Sequence, residues 1–375
     1  RDSSTSRGLG DVYKRQVMNL TSFAWSCYDG QLRTEAECDK EQRYERITKM
    51  PSFLEFFGYC FYFPGVLVGP STRFHEYQLW ASGKLYGPRM VPPPGRIVES
   101  LRETFTAVLA LVLMIWGSGT YSYMRLTDYS DAVHTWPLWK RWVFIQVCGL
   151  VARFQYYGVW SLSNAGCILS GLAYNGIDPV TNKTKWTRCK NVYVAKLEFA
   201  HNWKELLDAW NSNTNIWLRE CVYKRLAGNS KPKFGSFMGT FLASAAWHGI
   251  APGYYIAFVT AALCQWVARS LRKYVRPIFY ADPRRPDPTW FTMGQYTLAQ
   301  NVYATLSNFV TITSVNYAVI SFFTLSLRNS LGAYRAVYWH YHILVLFGIA
   351  AFRLGLGKPL RAWHVAPTPP MKKAQ

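Results

Sequence analysis

From Phe234 to Ala268 the chain carries no Asp, Glu, Lys or Arg. That run narrows the folds open to it. Crossing a bilayer takes about 20 apolar residues as a helix, and this stretch is longer. Its one ionisable side chain apart from tyrosines and Cys264 is His248, in Ser244-Ala245-Ala246-Trp247-His248-Gly249-Ile250-Ala251-Pro252-Gly253-Tyr254-Tyr255. A titratable group at that depth is expensive and marks a functional site by default. The competing account is a histidine that hydrogen-bonds a neighbouring helix. Both flanking connectors, Gly176 to Lys233 and Arg269 to Asp287, are basic. A single span places its ends on opposite sides of a membrane, and basic loops favour the cytosolic side. Pro252-Gly253 offers a way out: two shorter segments with a break beside His248.

Other apolar segments alternate with charged connectors. Pro51 to Pro70 is apolar apart from Glu55 and is cut by Pro64, which reads as a short span or re-entrant segment. Phe105 to Trp116 is the core of a further span. Trp142 to Tyr174, interrupted only by Arg153, is one tilted helix or two short ones around Gly158. Pro288 to Leu327 lacks Asp, Glu, Lys and Arg but is rich in Thr, Ser, Asn and Tyr, suited to lining a cavity or packing helices by hydrogen bonds. Ala336 to Phe352 is the last span. Within Gly176 to Lys233, the residues Leu206, Leu207, Trp210, Trp217, Leu218, Cys221 and Val222 repeat at helical spacing. They predict an amphipathic helix or helix pair.

The chain is half apolar and 17% aromatic, with a formal net charge of +21. A basic chain suits nucleic acid, or anionic headgroups and acidic substrates. No zinc-finger spacing, basic zipper or other nucleic-acid motif is present, so nucleic acid is not expected as a partner. The basic residues fall in loops between apolar spans. The eight cysteines include no C-x-x-C pair and no His/Cys cluster with zinc spacing, so no metal site is expected. Arg1 to Gln16 is polar, basic and aperiodic, and is set aside as a non-native or disordered leader. Residues 17–375 are expected to form a single domain with a short C-terminal tail.

Asn211 is a second candidate, in Trp210-Asn211-Ser212-Asn213-Thr214-Asn215-Ile216-Trp217-Leu218-Arg219. Such residues compete for the backbone and favour caps or turns. A side-chain amide there is equally suited to orienting a substrate oxygen or donating to a developing oxyanion. Spacing does not choose between these readings.

Taken together, Trp210-Asn211 with Trp217-Leu218, then Ser244-Ala245-Ala246-Trp247-His248-Gly249 and Pro252-Gly253-Tyr254-Tyr255, resemble the membrane-bound O-acyltransferase family. Within it they are most similar to the lysophospholipid acyltransferase branch. Leu54-Glu55-Phe56 through Phe63-Pro64 to Gly69-Pro70 resembles that branch's upstream motif. The resemblance runs from about Leu20 to the C-terminus and implies an all-α, polytopic integral membrane helical bundle with an internal reaction chamber. Against that pattern the chain looks N-terminally truncated, since further spans would be expected there. By resemblance His248 matches the catalytic histidine and Asn211 the asparagine of the Trp-Asn motif. Trp210, Thr214, Trp217, Ser244, Trp247, Tyr254 and Tyr255 are the expected substrate-binding residues. Acyl-CoA is implied as co-substrate, a lysophospholipid as acceptor, and no cofactor. The Pro-Gly-Tyr-Tyr after the histidine favours this acceptor over a sterol, diacylglycerol or protein.

The chemistry suits these residues. A neutral His248 would take the proton of an attacking alcohol, worth about 10²–10⁴-fold in rate, and burial keeps an imidazole neutral. Asn211 would support the oxyanion or position His248. Ser244, one turn before His248, reads as packing or substrate contact rather than a nucleophile. Lys204, Arg219 and Lys224 are candidates for the phosphates of coenzyme A, though membrane topology explains the same charges. The rival reading from another class is a transporter with His248 as a proton relay. Lys372-Lys373-Ala374-Gln375 resembles a dilysine retrieval signal, which points to the endoplasmic reticulum membrane. Two glycosylation sequons, at Asn19 and Asn182, bear on sidedness. The second lies in a connector expected to be cytosolic.

Overall fold

The computed structural model describes residues 4–66, 69, 72–228, 234–282, 284–289 and 291–365. It is helical throughout. Among the described residues no β-strand forms, only isolated bridges between Ile177 and Thr184 and between Val192 and Trp210. Several helix starts are written in the sequence as reciprocal caps: Asp39 with Gln42, Ser52 with Glu55, and Thr297 with Gln300.

The chain groups into two compact units, each drawn from separated segments. The first holds Arg1–Thr120, Val151–Val194 and Asp208–His248; the second holds Tyr121–Leu150, Ala195–Leu207 and Gly249–Gln375. The charge-free run is not one helix. It divides into Phe234–His248 and Pro252–Tyr274. Pro252 sits at the first turn of its helix and holds Ala251 in extended backbone, as proline imposes on its predecessor. Trp142 to Tyr174, by contrast, is one helix, Leu138–Ser170, uninterrupted at Gly158. The segment set aside as a leader is helical from Ser4 and continuous with the helix Ser4–Gln31, and Arg15 is buried.

In the first unit, the described residues of the segment Pro51 to Pro70 include two short helices, Phe53–Cys60 and Phe63–Val66, while Leu67, Val68 and Pro70 lie outside the described residues. The helix Arg96–Ser118 is inverted relative to a soluble one. Its buried side carries Ser100, Glu103, Ala107 and Ala110, whereas Leu101, Phe105, Val108, Val112, Ile115 and Trp116 are exposed. A contiguous apolar face of this kind is unusual on a protein in water. A polar cluster is packed beside the aromatic cores. Arg73 lies between Glu41 and Glu45, 2.9 Å from the latter, and Arg188 pairs with Glu76 at 2.6 Å.

Part of the second unit's interior is polar but uncharged. Tyr317 and Thr260 bracket the His342 ring at 2.6 and 3.2 Å. Trp203 donates to Ser314, Asn316 to Gln146, and Tyr334 to Ser321. The Thr- and Asn-rich run thus packs helices by hydrogen bonds. Among the described residues one helical stretch, Leu298–Thr324, is long and apolar enough to cross a membrane. The bent pair His340–Arg353 and Gly357–Trp363, at 77°, meets the same criterion together.

Two predictions follow from packing and charge. Gly253 N–H donates to the Leu325 carbonyl at 2.7 Å, and a Cβ there would stand 2.2 Å from the Ser321 carbonyl oxygen. Gly253→Ala should therefore destabilise the protein by about 1–3 kcal/mol, read as a lower unfolding midpoint in detergent. Gly235→Ala, with open space around it, should not. Burial raises the Glu45 carboxyl from its ordinary 4.5 to about 8, against the lowering effect of Arg73. The folded protein then keeps a proton that the unfolded chain releases, so the contribution of Glu45 to stability is fully present below pH 4.5 and is lost as pH climbs to about 8. Glu45→Gln should flatten that slope in thermal unfolding across this pH window.

Candidate active site

Asn211 and His248 both belong to the first unit. The connector that holds Asn211 folds as a broken helix: Trp203–Ala209, a turn at Trp210-Asn211, Ser212–Trp217, a π-helical turn Leu218–Tyr223, and Lys224–Ala227. The helical spacing read from the sequence is present, and the break falls at the Trp-Asn pair. Asn211 is left-handed, with φ 47° and ψ 48°, a conformation that asparagine tolerates better than most residues.

The amide of Asn211 is oriented. Its Oδ1 accepts from Asn191 Nδ2 at 2.8 Å and from the Thr214 hydroxyl at 2.8 Å. A carbonyl oxygen has two lone pairs, and both are taken. The Nδ2 amino group makes no hydrogen bond to the described residues and remains a donor. Asn191, which the sequence reading did not single out, also accepts from the Ser212 N–H through its backbone oxygen. One Asn in a basic loop carries no spacing signal, so it could not be found without coordinates.

His248 ends the helix Phe234–His248, and the chain leaves it through Gly249 at φ 139°. Its ring lies edge-on to Trp247 at 4.7 Å. The Trp247 indole donates to the Lys14 carbonyl at 3.2 Å and faces Trp217 at a centroid separation of 6.1 Å. Trp217 in turn donates to Thr21 at 2.9 Å. The π-helical turn packs against the His248 helix. The Asn211 segment and the His248 helix therefore meet through Trp217 and Trp247, while Asn211 itself bonds Asn191 and Thr214 rather than His248.

The remaining expected residues divide by unit. Trp210 stacks edge-on with Trp160 and Tyr156 at 4.9 and 5.2 Å. Thr214 and Ser244 are buried in the first unit. Tyr254 and Tyr255 lie on Pro252–Tyr274 in the second unit, where Tyr254 packs on Phe322 at 4.9 Å.

A cavity of about 280 Å³ opens beside the Asn211 turn, with Ser212, Asn213 and Trp217 on its wall. Its cations are Arg73, Arg188, Lys190 and Arg225, each paired with a carboxylate. Arg225 grips Asp29 through two hydrogen bonds and lies 4.2 Å above the Trp25 ring. Burial pushes the Asp29 carboxyl up, but Arg225 and Arg33 more than offset this and its net shift is downward. Arg219 and Lys224, the candidates for phosphate contact, share Glu220, and Lys224 also reaches Asp39. Cys221 on the same wall is pushed by burial up to about 11. In the second unit His201, Glu205 and Asp287 present ligand atoms within 4.8 Å of one another. Arg276 and Arg272 pair with Asp287, and their charge opposes a metal cation there.

A lysophospholipid acyltransferase of Schizosaccharomyces pombe is 38% identical over 341 residues, covering 89% of this chain and 64% of that protein. One of Saccharomyces cerevisiae is 32% identical over 358 residues, covering 90% and 56%. Lysophospholipid acyltransferase 1 of Arabidopsis thaliana is 30% identical over 347 residues, covering 88% and 71%. The chain thus spans less than two thirds of the length of the two yeast relatives. The sequence pattern of the membrane-bound O-acyltransferase family matches residues 3–306, a span that holds both Asn211 and His248, and the chain belongs to that family.

Proposed function

We propose that this protein transfers a fatty acyl chain from acyl-CoA to the free hydroxyl of a lysophospholipid, as a multi-pass protein of the endoplasmic reticulum membrane. The observation that carries the reading is the presence, within one unit, of an asparagine whose amino group makes no hydrogen bond to the described residues and of a histidine at the end of an apolar helix. The relatives' names supply the substrate class. The outward apolar face of Arg96–Ser118 suits contact with lipid.

In this reading His248 accepts the hydroxyl proton as the oxygen attacks the thioester carbonyl. Asn211 Nδ2 donates to the tetrahedral oxyanion. Collapse expels the coenzyme A thiolate, which takes the proton back from the imidazolium. Direct transfer is favoured over an acyl-enzyme: Cys221, the thiol on the cavity wall, is held protonated by burial, and a thiol is a poor nucleophile in that form. The cavity beside the Asn211 turn is the proposed seat of the donor, whose phosphates would exchange with the carboxylates paired there.

His248→Ala should lower kcat by about 10²–10⁴-fold and Asn211→Ala by about 10²–10³-fold. Both would be measured in membranes of the full-length protein with one labelled acyl-CoA and a panel of lysophospholipid, sterol and diacylglycerol acceptors. Wild-type turnover by His248→Ala sinks the mechanism, and label appearing on a sterol or diacylglycerol instead sinks the acceptor. Sidedness has its own test. Asn19 is buried, whereas Asn182 is exposed on the loop between Asp178 and Lys183. If that connector is cytosolic, Asn182 carries no glycan in an endoplasmic reticulum membrane, and a glycosidase-sensitive mass shift lost in Asn182→Gln would reverse the placement.

A further inference from the structure

We propose that Asn191 is a positioning residue for acyl transfer: its side chain dictates which end of the Asn211 amide faces the reacting atoms. The proposal rests on the reading of Asn211 as the oxyanion donor.

The assignment follows from which groups can only donate. The backbone N–H of Asn213 points at the side chain of Asn191, 3.1 Å from its Oδ1. An N–H has no lone pair to offer, so the oxygen of Asn191 must face it. The Nδ2 of Asn191 then necessarily faces Asn211, and an amino group can only donate. The atom it meets at 2.8 Å must be Asn211 Oδ1. Turning the Asn211 amide over would set two amino groups against each other and lose both bonds to that oxygen. Asn191 is 1% exposed, so water cannot replace the missing partner.

Besides the Asn213 N–H, which the Asn191 side chain accepts, backbone bonds hold the turn: Tyr193 N–H to the Ala209 carbonyl at 3.0 Å, Ser212 N–H to the Asn191 carbonyl at 2.9 Å, and Asn215 N–H to the Asn211 carbonyl at 3.0 Å. What the side chain adds is polarity. It carries the direction of one backbone N–H across to the far end of Asn211, leaving Nδ2 with no hydrogen bond to the described residues. Thr214 reinforces this from the other side, but its hydroxyl can donate or accept and so cannot choose the orientation.

Asn191→Asp is the decisive variant. It keeps the acceptor for the Asn213 N–H and, assayed at a pH where the carboxyl is ionised, replaces the donor with an oxygen of the same size that can only accept. The Asn211 amide should then turn its amino group inward and present Oδ1 to the site. The expected result, in membranes of the full-length protein, is a kcat about 10²–10³-fold lower, with KM for acyl-CoA and for the lysophospholipid within about 3-fold and a cooperative unfolding transition retained. In an Asn211→Ala background, Asn191→Asp should lower kcat no further, because both changes remove one function. Asn191→Leu removes the donor without a charge and should slow kcat at least 10-fold. Wild-type kcat in both variants, or losses that multiply with Asn211→Ala, overturns the proposal while leaving the role of Asn211 intact. Failure of both variants to fold makes Asn191 a structural residue and also overturns it. Wild-type turnover by Asn211→Ala itself is a different outcome and removes the reading beneath.

Discussion

One buried asparagine engages three successive residues of the proposed site. Asn191 meets Asn211, Ser212 and Asn213 through its amino group, backbone oxygen and side-chain oxygen in turn. A helix broken at Trp210-Asn211 would otherwise leave its free N–H groups to water or to one another. Here the first two after the break are taken by one side chain and its own backbone. The next contact outward, Trp217 on Trp247, joins this turn to the helix of His248. Large flat rings are suited to that task, since they bury much area and lose little freedom. The pair therefore fixes a relationship between segments that no hydrogen bond from Asn211 to His248 supplies.

The same economy runs through each unit. Charged groups that are taken out of water come with partners: Arg73 among three glutamates, Arg188 on Glu76, Glu103 on Lys190. Where the interior has no charges, hydroxyls, amides and imidazoles bond one another, as around Tyr317 and His342. Large aliphatic residues are left outside on Arg96–Ser118. That distribution is reasonable where the surroundings are as apolar as a leucine side chain, because burying leucine then brings little and close approach of small residues brings more.

What could be read in the sequence was whatever has a period or a type. Capping boxes, the helix over Phe105 to Trp116, the hydrogen-bonding character of Pro288 to Leu327 and the break permitted by Pro252 are local properties of residue order, and they are present in the fold. The Trp-Asn and Trp-His-Gly motifs led to the family. Pairings between distant segments were not legible. Nothing in composition places Arg73 between Glu41 and Glu45, or Asn191 against Asn211, because each depends on how separate segments pack. Arg219 and Lys224 make the same point: Glu220 lies within reach of both, and a charge count takes no notice of neighbours.

The π-helical turn at Leu218–Tyr223 has one more implication. Such a turn is an ordinary helix holding one surplus residue. An ordinary helix advances each side chain by about 100°, so the surplus shifts everything after it around the axis. Arg225 reaches Asp29 and covers Trp25 from that shifted position. Deleting a single residue inside the turn would restore regular winding and aim the guanidinium elsewhere, whereas a deletion paired with an insertion before Arg225 would preserve its bearing. The phase of this short coil is therefore a heritable character of the chain, distinct from the identity of any side chain on it.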